Sequence, residues 1–194
     1  MGLAILLKKA ADAVLDHNFS ELSRAIQKVY NGLETDVTNI ITNNYPALNT
    51  TIAYTTANQT FTSSTVAAVP ELKFNVVAGK YYKFKFTLSH ESASDAVGFR
   101  ITITTPTFTT LASTFRDMAA VAGTGAEYQA YIRASGQEVT APTVVGANQH
   151  FVAQLEGIIT PTADGTIQLK AGNETGATAV ILHKASMLEV IEYG

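Results

Sequence analysis

Four histidines, His17, His90, His150 and His183, are the side chains here best suited to bind a metal or move a proton. Such histidines declare themselves when two stand two or four residues apart, because one strand or helix face then carries both rings to one ion. No two of these four are so spaced. His90 stands beside Glu91 and near Asp95 in what reads as a loop. Ordinary surface groups are expected there, with a weak cation site as the alternative. No metal and no cofactor are expected.

Other chemistries fare no better. The chain has no cysteine, which removes thiolate nucleophiles, thiolate metal sites and disulfides together. Gly123-Thr124-Gly125 lacks the third glycine and the strand-to-helix setting of a phosphate loop, and no Gly-x-Ser-x-Gly elbow occurs. Paired carboxylates could act on a glycosidic bond, but Glu71, Glu138, Glu189 and Glu192 read as outward strand or turn positions. Glu156 sits in an otherwise apolar strand before Gly157. It has two readings, a solvated strand face or an ion pair with Arg100 or Arg133 across a subunit interface. Tyr81, Tyr128 and Tyr131 could form a sugar-stacking platform, or serve as core or interface residues. The chain is therefore expected not to be an enzyme.

These residues must be positioned by elements that the sequence outlines. The chain has 194 residues, enough for one good-sized core and an appendage. It is 46% apolar and only 15% charged, far from the composition of a disordered chain. So little charge implies a surface of Thr, Ser, Asn, Gln and Ala, which suits a protein packed against copies of itself. A formal charge of -3, with scattered basic residues, offers no footprint for nucleic acid. Met1 to Leu7 is apolar, but Lys8, Lys9 and Asp12 interrupt it, so neither a signal peptide nor a membrane span is expected.

Residues 3 to 43 read as helix. Leu3, Leu6, Leu7, Ala10 and Val14 share one face of a first segment, Leu3 to Asp16. Asn18 and Glu21 have the spacing of a capping box that starts a second. That helix carries Leu22, Ile26, Val29, Leu33, Val37 and Ile40, spaced 4, 3, 4, 4, 3, a narrow seam with one stutter. The stripe faces either partner helices or its own domain. Asn43, Asn44 and Pro46 end it, which puts a boundary between 1–46 and 47–194.

Beyond residue 47 the period becomes two. Ile52 to Val69 reads as one or two Thr-rich strands. Leu72, Phe74 and Val76, an Ala78-Gly79 turn, then Tyr82, Phe84, Phe86 and Leu88 read as a hairpin with one face in a core. Phe99, Ile101 and Ile103 alternate likewise, as do Phe151, Ala153, Leu155 and Gly157. Ile167 and Leu169 follow an Asp164-Gly165 turn, and Val180, Leu182, Leu188 and Val190 close the series. Tyr128 and Ile132 are core candidates in a less regular stretch. About eight strands between Gly- and Pro-marked turns, with no helix among them, predict a mainly β fold. It is an antiparallel β-sandwich, jelly-roll-like, behind an N-terminal helical extension.

The segment from Ser63 onward resembles a module of tailed-bacteriophage virion proteins, found in fibres and head decoration. The likeness lies in Ser63-Ser64-Thr65, Val69-Pro70-Glu71-Leu72-Lys73-Phe74-Asn75-Val76, Ala78-Gly79-Lys80-Tyr81-Tyr82-Lys83-Phe84 and Gly98-Phe99-Arg100. It continues in Leu155-Glu156-Gly157, Thr160-Pro161, Asp164-Gly165-Thr166 and Ser186-Met187-Leu188-Glu189-Val190. About two thirds of the chain is covered; Thr107 to Pro142 is not. The resemblance implies a small sandwich, often trimeric, joined to the particle by its N-terminal extension, and it implies no reaction. A virion structural protein is therefore expected: a capsid-decorating or short head-fibre homotrimer on the particle's outer surface. Its partners would be itself and virion proteins such as the major capsid protein, with no direct nucleic acid and no membrane. The alternative is a tail-fibre or receptor- or carbohydrate-binding module recognising a host-surface glycan.

Overall fold

The structure, a computed structural model, describes residues 7–9, 12, 20–24, 26–29, 31–33, 35, 49–118, 127–141, 146–176 and 178–193. The chain divides into two compact units, residues 1–47 and 48–194. In the first unit every described residue is helical, including Leu22, Ile26, Val29 and Leu33. Local pairs support the second helix. Arg24 Nη1 lies 2.7 Å from Glu21 Oε1, three residues away, and Gln27 donates to Asn31 four residues on. Leu3, Leu6, Ala10, Val14, Asn18, Val37, Ile40 and Pro46 lie outside the described residues.

The second unit contains the strands β1 (Asn49–Tyr54), β2 (Gln59–Phe61), β3 (Ala67–Val76), β4 (Tyr81–Ser92), β5 (Phe99–Thr104) and β6 (Phe108–Asp117). They are followed by β7 (Tyr128–Ile132), β8 (Val139–Thr140), β9 (Phe151–Pro161), β10 (Gly165–Asn173), β11 (Val180–Leu182) and β12 (Met187–Tyr193). Every pairing is antiparallel. One sheet runs β3-β10-β5-β8; the other runs β1-β12-β4-β9-β6-β7, with β11 and β2 attached beside β4. The pairs β3/β10, β4/β9, β5/β8 and β6/β7 nest inside one another, as though one long hairpin had been rolled over itself. That nesting is the jelly roll, and the expected antiparallel sandwich is what the chain adopts. β12 occupies the outer edge of β4 from Tyr81 to Thr87, and β11 takes over that edge from His90 to Ser92.

Alternation places one face of each strand between the sheets. Along β4, Tyr82, Phe84, Phe86, Leu88, His90 and Ser92 are buried while the residues between them are not. Phe84, Phe86, Phe99 and Phe115 are fully enclosed, each contributing roughly 1.5–3 kcal/mol of transfer free energy. Phe74 of the smaller sheet meets Tyr82 and Phe84 of the larger with ring centroids 6.1 and 6.0 Å apart, so aromatic contact spans the two layers.

Three sequence expectations need correction. β3 and β4 do not form a hairpin: they lie in different sheets, and the Ala78-Gly79 turn is a corner between layers. Gly79 takes φ +79° there, its N–H bonded to Pro161 O at 2.9 Å, and Ala78 N–H donates to Asp164 Oδ1 at 2.8 Å. The second corner, β9 to β10, thus secures the first. The Thr-rich stretch makes β1, β2 and the start of β3, and the described strands number twelve instead of eight. His90 and Glu91 stand within β4, not in a loop.

Candidate functional site

The larger sheet turns its second face outward, and its apolar residues there set the first candidate surface. Tyr81 and Tyr193 are directly opposed across β4 and β12, and Ile158 of β9 lies opposite Lys83. Tyr81, Ile158 and Tyr193 are all exposed. With Lys83, Thr110 and Thr160 they line an open groove of about 340 Å³. Two tyrosine rings, an apolar floor and a lysine could stack and hydrogen-bond a flat polar ligand, or receive an apolar side chain from a partner.

The three-tyrosine platform does not form. Tyr128 and Tyr131 are an odd number of residues apart on β7 and so point to opposite faces. Tyr128 packs against the core, its ring 6.2 Å from that of Phe115, whereas Tyr131 is exposed with the Arg133 guanidinium 5.2 Å from its ring centre. Three strand spacings, roughly 14 Å, part β7 from β4 and Tyr81. Tyr193 and Ile158 are the companions that sequence spacing missed. The register of β12 on β4 brings Tyr193 there and that of β9 on β4 brings Ile158, and no local signal records either pairing.

Tyr82, opposite Ile159 on the inner face, has its phenol pushed up from its ordinary value of 10.0, chiefly by burial, with Glu192 adding to the effect. Its hydroxyl oxygen accepts the Val77 N–H at 2.9 Å.

The seam residues Leu22, Ile26, Val29 and Leu33 are each more than half exposed. Val37 and Ile40, the rest of the seam, lie outside the described residues.

Of the described histidines His90 and His183 are not surface groups, whereas His150 is. His90 is completely buried; its Nε2 lies 3.2 Å from Oδ1 of the equally buried Asp117, and its ring stacks on Phe99 with centroids 4.4 Å apart. His150 is exposed and His183 largely buried, yet their rings stack 4.0 Å apart. Both reach Glu91 Oε2, from 3.3 and 3.4 Å. His17 lies outside the described residues.

Glu156 faces outward between Lys85 of β4 and Thr114 of β6. Arg100 is engaged within the chain instead. It donates to Thr140 Oγ1 at 3.1 Å, Ser64 O at 3.0 Å and Glu174 O at 3.1 Å, and it pairs with Glu138 at 3.3 Å. Among the described residues no helix is long and apolar enough to cross a membrane.

No family model matches the chain, and no curated protein matches its sequence. Among solved structures it is similar to the CBM22-1–GH10 modules of a Clostridium thermocellum xylanase, at 9% identity over 75% of this chain and 25% of that one, TM-score 0.33. It is similar also to the tripod from the baseplate of bacteriophage Tuc2009, at 12% identity over 71% of this chain and 64% of that one, TM-score 0.31. A third likeness is to infectious bursal disease virus, Gt strain, at 11% identity over 76% and 42%, TM-score 0.24. The chain thus spans less than two thirds of each of these chains, and at such scores the likenesses carry no argument about what it does.

Proposed function

We propose that this chain is a non-catalytic structural protein of a bacteriophage virion, a homotrimer attached through its N-terminal segment, as a capsid-decorating or short head-fibre protein. The observation that carries the reading is the exposed apolar stripe Leu22, Ile26, Val29 and Leu33 on a helix that is marginal alone in water. A seam at this spacing is buried by other helices of its kind. The low charge of the chain and the virion-like strand motifs support the same reading.

The test is the mass of the full-length chain in solution. Size-exclusion chromatography with light scattering should give a trimer at micromolar concentration. Replacing Leu22, Ile26, Val29 and Leu33 by Ser should give a monomer that keeps its β circular dichroism. A monomeric parent chain would sink the trimer. Absence of the protein from purified particles of its virus would sink the virion role.

The groove at Tyr81, Ile158 and Tyr193 favours one second reading, a module that binds a host-surface glycan. Reproducible glycan-array hits abolished by Tyr193→Ala would favour it over a purely structural role.

A further inference from the structure

We propose that Glu91, His150 and His183 form a binding site for a divalent transition-metal ion of the zinc class, with two imidazole Nε2 atoms and one carboxylate oxygen as ligands and water in the fourth position. Three segments distant in sequence meet here on the outward face of the larger sheet. Glu91 is carried by β4; His150 immediately precedes β9 on one side of it; His183 immediately follows β11 on the other. Strands on either side of a third lie roughly 10 Å apart. The two rings must therefore lean toward one another across β4 to stack at 4.0 Å.

The distances are compatible with a ligand set. Oε2 of Glu91 is 3.3 Å from His150 Nε2 and 3.4 Å from His183 Nε2. Hydrogen bonds between such groups prefer about 2.7–3.2 Å. Ligands of tetrahedral zinc, each at about 2.0–2.1 Å from the ion, are separated from one another by about 3.3–3.4 Å. Nε2 of His183 is buried and makes no hydrogen bond, and it lies beside the Glu91 carboxylate at 3.4 Å. The donor atoms of all three residues lie within 4.8 Å of one another.

The backbone brings the three residues together, and one ring must turn out of the stack for both Nε2 lone pairs to meet a single ion. His183 N–H donates to Ser89 O at 2.8 Å, while its own carbonyl accepts from Thr55 Oγ1 at 3.0 Å and from Ser186 Oγ at 2.9 Å. On the other side Asn148, in the left-handed region at φ 57°, turns the chain and donates its N–H to Ser92 O at 2.7 Å, which seats His150 beside the end of β4. Two imidazoles and a single carboxylate suit zinc and its neighbours and suit magnesium or calcium poorly, since those ions want an all-oxygen shell. A bound ion would pin the segment before β9 and the β11–β12 turn to β4.

The experiment is titration of the EDTA-treated full-length chain with ZnCl2, followed by calorimetry and thermal unfolding. One ion per chain at micromolar affinity or tighter is expected, with a raised unfolding temperature, while MgCl2 at the same concentration leaves that temperature unchanged. His150 is 65% exposed, so His150→Ala should unfold like the parent without metal. It should nevertheless bind zinc at least about a hundredfold more weakly, a larger loss than outer-shell changes produce. Cobalt should give the visible absorption of a tetrahedral site in the parent and not in His150→Ala. No saturable zinc binding below millimolar, or equal zinc affinity in the parent, His150→Ala and Glu91→Gln, would overturn the proposal.

Discussion

Phe84 occupies the space that a side chain on Gly157 would need. The two residues are directly opposed across β4 and β9, and a Cβ added to Gly157 would lie 2.8 Å from Phe84 Cζ, 2.6 Å from Ser113 Cβ and 2.7 Å from Ala112 O. A core-facing strand position is left without a side chain so that an aromatic ring can lie over it. Backbone on the far side forbids relief by a simple rotamer change. Gly157→Ala should therefore destabilise the sandwich by about 1–3 kcal/mol through overpacking, read by urea denaturation. An unchanged midpoint would show that the strands can part without cost.

The buried His90–Asp117 pair makes a different prediction. Both side chains are fully enclosed, so removing Asp117 takes from His90 Nε2 its partner in the core. Asp117→Ala should cost about 3–5 kcal/mol, whereas the double replacement His90→Phe with Asp117→Leu should recover most of that loss. A double-mutant cycle on the unfolding free energies measures the coupling. Strictly additive losses would refute it.

Tyr82 contributes to the alkaline dependence of stability. Burial raises its pKa above the ordinary value of 10.0, so the folded state holds the proton more tightly than the unfolded chain. The contribution is fully present below the unfolded pKa and is lost as pH rises through the folded one. Stability should be level with respect to this group up to about pH 10 and fall above it. Tyr82→Phe should flatten that fall while losing the acceptor for Val77 N–H. Unfolding midpoints between neutral and strongly alkaline pH check it.

Arg100 clamps three segments at one end of the smaller sheet through Ser64, Thr140 and Glu174. Its planar fork reaches all of them at once, which a lysine's point charge cannot. Arg100→Lys should lower stability by about 2 kcal/mol, in the range for charge-assisted hydrogen bonds. Hydrogen exchange should quicken at the amides of residues 63–65 and 174–176. Protection equal to that of the parent would count against the clamp.

Much of the fold was legible residue by residue. The buried positions of β4 and β9 follow from the alternation of Phe84 with Lys85 and Leu155 with Glu156, whereas in β5 Thr102 is buried along with Ile101 and Ile103. That alternation reports only which face meets apolar surroundings. It is the same whether the next strand is a hairpin partner or lies in the opposite layer, so alternation on both sides of Gly79 does not tell a hairpin from a corner between sheets. His90 and Glu91, neighbours in sequence, point to opposite sides of β4, so adjacency along a strand does not put two side chains in one site.

The sequence by itself determined the antiparallel sandwich, its core-facing residues and a helical segment with an apolar seam, because period and turn chemistry are local properties of the chain. Only the tertiary structure decided which strands pair. The nested order β3/β10, β4/β9, β5/β8 and β6/β7 satisfies faces and edges of the whole unit at once. From that order came the groove of Tyr81, Ile158 and Tyr193 and the meeting of Glu91, His150 and His183. Both depend on registers between segments far apart in sequence, which no local pattern encodes.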